Sequence, residues 1–270
     1  MMLMTATWGL GYAALAISLA TSSILFLTQQ YRAAIKRVAL GLLASSTLLL
    51  WSSQAIRIVR GHGWPFQTPA DLATGIVLLQ LGIYVGWSII TRRHQAAWFV
   101  SAIALALLSY AVIEQPPTFS TQPFPSPGVR VGTILNLGGG AFLALASAAS
   151  LSNVVLSRRD RTSTADTGTH ERTEGDNDLV SEAFVRLALL CLAASLAIDT
   201  WWLQKIGLGN VNDAQQAGIA ITWMVYFFAI RLRAQPDWRG WPWTAIVTVG
   251  FGCTLPILLN VSWLETPLSF

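Results

Sequence analysis

The chain reads as a succession of apolar blocks, each close to twenty residues long, separated by polar segments. That is the length an α-helix needs to cross a hydrocarbon core about 30 Å thick at about 1.5 Å per residue. Eight blocks can be traced, roughly Thr7 to Leu27, Val38 to Ile56, Ala70 to Ile90, Gln95 to Ile113, Val131 to Leu156, Ala183 to Leu203, Ala214 to Leu232 and Trp243 to Trp263. Only helices and closed barrels satisfy their own backbone in lipid, and these blocks lack the period-two alternation of barrel strands. The expected fold class is therefore all-α: a polytopic integral membrane protein with about eight transmembrane helices.

Composition agrees. Only 11% of residues are charged, against about 25% in a soluble domain, which excludes a water-soluble enzyme. The net charge of +4 does not indicate nucleic acid, because the cations are spread among loops instead of gathered on one face. Their distribution sets a topology. Thirteen Lys and Arg fall on one side (Arg32, Lys36 and Arg37; Arg92 and Arg93; Arg158, Arg159, Arg161, Arg172 and Arg186; Arg231, Arg233 and Arg239), while Arg57, Arg60, Arg130 and Lys205 fall on the other. The positive-inside rule puts the larger set in the cytoplasm and both termini outside, in a cell or inner membrane. The first charged residue is Arg32, so the first block lacks the basic flank of a cleavable signal and is expected to remain as a helix.

We read residues 1–270 as a single membrane domain. Five helices fall in 1–157 and three in 182–270, joined over 158–181 by a polar cytoplasmic linker too poor in apolar residues to fold. His170 in that linker is read as a solvated residue. Two outer segments stand out: EQPPTFSTQPFPSPGVR, from Glu114 to Arg130, whose five prolines oppose helix, and RGHGWPFQTPAD, from Arg60 to Asp71. With the segment after Trp202 they would form an outer vestibule.

Chemistry-bearing residues are few. Trp8, Trp64, Trp201, Trp202 and Trp263 lie near the outer boundary; they suit an aromatic belt at headgroup depth, or a platform on which a flat ligand stacks. Asp199 and Arg186 stand near opposite ends of the sixth block, where a local hydrogen bond or snorkelling accounts for them. Gly138, Gly139 and Gly140 permit close helix contact, and Pro256 is expected to bend the eighth block. Cys191 and Cys253 are read as two small buried apolar side chains. The sequence contains no Walker loop, HExxH, nucleophile elbow or CxxCH. Gln80, Asn136 and Asn260 are too scattered to define a transporter site, and no inverted repeat is visible.

The segment WWLQKIGLGNVNDAQQAGIAITWMVYFFAIRLRAQPDWRGWPWTAIVTVGFG resembles the C-terminal half of the CcsA/ResC family, the membrane proteins of system II cytochrome c biogenesis, and its HemX-like relatives. In that family an outer loop of the form WGxYWxWDPKE leads into a helix reading xxITW, then a basic turn with W-x-G, then a helix containing GF. Gly207, Asp213, Ile221, Thr222, Trp223, Trp238, Gly240, Gly250 and Phe251 match that pattern. A second patch, RGHGWPFQTPADLATGIV, resembles the family's GHFPLSNLYESL, with His62 at the histidine and Pro65 near the proline.

The resemblance implies a haem-handling protein of cytochrome c assembly, with other membrane proteins of an assembly or electron-transfer complex, and membrane lipids, as partners. It implies haem as cofactor, with His62 as axial metal ligand, Trp64, Trp201 or Trp202 stacking on the porphyrin, and Asp213 among the cofactor-binding residues at the start of the next helix; from the residues alone His62 also reads as an interfacial side chain bonding a loop carbonyl. The chain departs from the pattern at Ile206, Asn210 and Asn212, where the family has tryptophans, and at Arg231 and about Arg130 or Val131, where it has histidines. The terminal HSY is approximately PLSF. These departures allow a second reading, a non-catalytic structural or regulatory subunit that reuses the fold.

Overall fold

The computed structural model describes residues 33–59, 66, 68–91, 96–114, 127–162, 171–206 and 213–259. Every regular element among them is helical: α1 (Ala33–Val59), α2 (Pro69–Thr91), α3 (Ala97–Glu114), α4 (Pro127–Thr162), α5 (Glu171–Ile206), α6 (Asp213–Arg233), a 3₁₀ turn at Pro236–Trp238, and α7 (Trp241–Leu258). Five are long and apolar enough to cross a membrane: α2, α3, Pro127–Val155 of α4, Leu179–Trp202 of α5, and α7. α1 carries a shorter apolar stretch, Leu40–Ser52. The first expected block, Thr7 to Leu27, lies outside the described residues.

Local chemistry fixes the helix ends. At the start of α2 the Thr68 hydroxyl accepts from the Asp71 N–H at 3.1 Å, while the Asp71 carboxylate accepts from the Thr68 N–H at 3.4 Å. This reciprocal cap satisfies two otherwise free donors, and Pro69 in the first turn has no N–H to satisfy. α7 begins after Gly240, whose φ of 71° suits a residue without Cβ. Pro256 stands within α7, which ends two residues later at Leu258.

The polar connection is shorter than expected. Helix continues through Arg158–Thr162 and resumes at Glu171, leaving 163–170 outside the described residues. Extending an existing helix adds one backbone hydrogen bond per residue fixed, without a new nucleation cost. Each of these two helices has 36 residues, about 54 Å of rise, so both outrun a hydrocarbon core of about 30 Å.

α4 is the central helix, touching α2, α3, α5 and α7, with its longest seam against α5. Of the three consecutive glycines, Gly139 sets that spacing and Gly140 sets the approach of α7 and α2. A Cβ on Gly139 would fall 2.7 Å from Leu192, one on Gly140 3.0 Å from Leu258, and one on Gly138 3.6 Å from the Cys191 sulfur. Helices approach closely where side chains are small. Outward faces carry large apolar residues such as Leu48, Ile90, Ile113 and Leu190, as lipid contact requires. Cys191 is half-buried and Cys253 exposed, and both are free thiols. Cys253 therefore departs from the expectation of burial: with lipid as solvent, an apolar side chain has no need to turn inward.

At the end of the bundle where α4 stops and α5 starts, here the linker end, polar side chains bridge helices. Trp243 Nε1 donates to Ser181 Oγ at 3.2 Å, and Ser181 Oγ donates to the Ala146 carbonyl at 3.1 Å. The Tyr226 hydroxyl and Ser147 Oγ both donate to the Val247 carbonyl, at 3.1 and 3.3 Å. Glu182 accepts from Arg233 of α6 and from Arg186 of its own helix. The Arg233 guanidinium also lies 4.8 Å from the centroid of the Trp243 ring, within cation–π range.

Candidate functional site

The opposite, distal end of the seam is built differently. Gly128, Gly132 and Asn136 recur every fourth residue on α4, and Ser195, Asp199 and Trp202 recur at i, i+4 and i+7 on α5. Each set occupies one helical face. The two faces meet: a Cβ on Gly128 would fall 2.4 Å from the Trp202 ring, and one on Gly132 2.0 Å from Asp199 Oδ1. The glycines therefore admit a tryptophan and a carboxylate into the seam.

A cavity of about 100 Å³ opens beside this contact. α4 lines it with Val129, Thr133 and Asn136, α5 with Asp199 and Trp202, and the first two turns of α6 with Gln215, Gln216 and Ile219. Each water occupies about 30 Å³ of liquid, so the space suits about three waters or one small polar group.

Hydrogen bonding in the cavity is incomplete. Ser195 Oγ lies 3.1 Å from Asp199 Oδ2 and 3.1 Å from the Gly132 carbonyl, but a hydroxyl carries one proton and serves one acceptor at a time. Asn136 Oδ1, an acceptor, and Trp202 Nε1, a donor, are buried without a protein partner. They are two of nine such atoms among the described residues; what sets this pair apart is that both residues line one cavity with room for an occupant that could satisfy them.

The residues named from sequence are dispersed. Trp202 lines the cavity with its ring packed on the α4 backbone. Trp201 faces outward, 59% exposed; the two rings are 6.0 Å apart and inclined at 59°, so they form no continuous flat platform. Lys205 Nζ lies 5.2 Å from the Trp201 centroid and 5.6 Å from that of Trp202. Asp213 is the first residue of α6, beside the cavity in sequence, although its side chain is outside the described residues. His62, Trp64 and His170 also lie outside them. Among the described residues no group of three His, Cys, Asp or Glu side chains converges as a metal site.

Sequence reasoning passed over Asn136 as scattered and took Asp199 for a locally bonded residue. The local bond to Ser195 exists, and helical spacing was the available signal that each set shares one face of its own helix. Comparison with protein-family models, curated proteins and solved structures finds no match to this chain.

Proposed function

We propose that the chain is an eight-span protein of the cell (inner) membrane, both termini external, belonging to the CcsA-like group of cytochrome c assembly proteins. One observation carries the reading: the helix bearing Trp201 and Trp202 stops at Ile206, and the next opens at Asp213 and carries Ile221, Thr222 and Trp223. That helix, short connection and helix is the layout that the resemblance asks of this segment. Its orientation is supported by Arg186 and Arg233, both counted on the cytoplasmic side, which meet at one Glu182.

A specific observation favours the second reading within this group, a non-catalytic subunit holding partner membrane proteins. Small-molecule pockets usually measure about 300–1,000 Å³, so a cavity of about 100 Å³ is far too small for a porphyrin, and the Trp202 ring beside it is covered by α4. The distal cavity therefore does not fit haem. A haem site on this chain would rest on His62 and Trp64 with the exposed Trp201.

Purification from the native membrane in mild detergent, with an absorption spectrum and identification of co-purifying chains, tests both readings. The expected result is little or no Soret absorbance together with cytochrome c assembly or electron-transfer proteins. A strong six-coordinate haem spectrum that survives His62→Ala would overturn the assignment of His62. Absence of any such partner would remove the assembly reading itself. A reporter inserted near Thr167 should read as cytoplasmic and one after Phe270 as external.

A further inference from the structure

The distal cavity holds a carboxylate with no cationic partner among the described residues, together with an orphan acceptor and an orphan donor. Asp199 lies within a membrane-crossing stretch, where an ionisable residue demands a partner. Its protein donor is the Ser195 hydroxyl, shared with a backbone carbonyl. The remaining polar lining from Thr133, Asn136, Gln215 and Gln216 is hydroxyl and amide, and no thiol or imidazole takes part. Neutral oxygens around a carboxylate are what hard cations prefer, and one carboxylate balances one charge.

We propose that this cavity binds a small monovalent cation together with one or two waters. The cation faces the Asp199 carboxylate. A water beside it accepts from the Trp202 Nε1–H and donates to Asn136 Oδ1, so both orphans are satisfied by the same occupant. A proton on Asp199 alone would neutralise the charge but leave the space empty and both orphans unmet. Two sources share the required chemistry: a free alkali ion, and the primary ammonium of a lipid headgroup entering from the distal leaflet. The proposal is independent of the cytochrome c assembly reading.

The test uses the full-length protein in phosphatidylcholine nanodiscs, where the lipid ammonium is quaternary and has no N–H. Thermal unfolding is followed in sodium, potassium or N-methylglucamine chloride at equal ionic strength, and again with phosphatidylethanolamine in the disc. If a free ion is the source, sodium or potassium raises the midpoint by about 3 °C over N-methylglucamine; if the lipid is the source, phosphatidylethanolamine gives that rise in every salt. Asp199→Asn, which keeps an acceptor for Ser195, should abolish the response. Asn136→Leu should reduce it, and decides the matter if the first variant does not fold. An unchanged midpoint across all salts and both lipids, or the full response in Asp199→Asn, overturns the proposal.

Discussion

The two ends of the α4–α5 seam use similar residues to opposite effect. At the linker end Glu182 serves Arg233 and Arg186, the Trp243 N–H reaches Ser181, and Arg233 is 8% exposed but both bonded and stacked. At the distal end Asp199 faces no cation among the described residues, and the Trp202 N–H reaches nothing. Both ends contain a carboxylate, a tryptophan and a serine. Where the carboxylate and the tryptophan N–H are both paired, the cluster joins four helices. Where members are left over and space remains, the same chemistry is available to something from outside.

The largest effect should come from breaking the paired end. Glu182→Leu removes the carboxylate that Arg233 binds, and removing one member of a buried pair costs about 3 kcal/mol. The loss should appear in detergent unfolding curves, and the double variant Glu182→Leu/Arg233→Met should recover most of it, because the buried charge is removed together with its carboxylate. Arg186→Ala should be nearly silent, since that side chain is 64% exposed and exposed pairs contribute little. Equal losses for Arg186→Ala and Glu182→Leu would mean that the linker end is not the tied end.

Next in size is the close approach that shapes the distal end. An added Cβ at Gly132 must displace Asp199 Oδ1, 2.0 Å away, and overpacking of this kind costs about 1–3 kcal/mol. Gly132→Ala should also remove the cation response, because Asp199 can no longer occupy its place. Gly41→Ala is the internal control: nothing lies within 4 Å of its Cβ position, so a helical site that gains alanine should be unchanged or slightly stabilised. A Gly132→Ala variant as stable as Gly41→Ala would mean that the seam is looser than its glycines indicate.

Much of this architecture was legible in sequence, and what was not had physical reasons. The block from Ala70 to Ile90 nearly coincides with α2, Pro69–Thr91, because the apolar run is bounded by a Thr-Pro-Ala-Asp cap. The extensions of α4 and α5 toward the linker differ from the sequence expectation, because charge density signals poor burial, whereas a helix already nucleated in the bundle propagates by one backbone hydrogen bond per residue. Asn136 and Asp199 were each visible, and so was the spacing of their helical faces. That the two faces meet depends on α4 pairing with α5 across the polar linker, a tertiary contact that no local pattern encodes. Trp201 and Trp202 illustrate the same limit: adjacent in sequence, they point one outward and one into the seam.

The smallest expected effect compares the two tryptophans. Trp243→Phe and Trp202→Phe make the same chemical change, removing an indole N–H and part of the ring. At Trp243 the N–H is bonded to Ser181 and the ring carries the Arg233 guanidinium. An interhelical hydrogen bond in a membrane protein contributes about 0.6 kcal/mol on average, and a cation–π contact about 0.5–1 kcal/mol. At Trp202 the N–H has no protein partner, so deleting it removes an unmet donor and no protein hydrogen bond. Unfolding in phosphatidylcholine nanodiscs with N-methylglucamine as the only cation should therefore show Trp243→Phe costing about 1 kcal/mol more than Trp202→Phe. Adding sodium or phosphatidylethanolamine should narrow that gap, because wild-type Trp202 then gains a water to donate to and its loss begins to matter. A gap that is absent without the cation, or that stays fixed when it is added, would show that the paired and unpaired ends do not differ as their hydrogen bonds indicate.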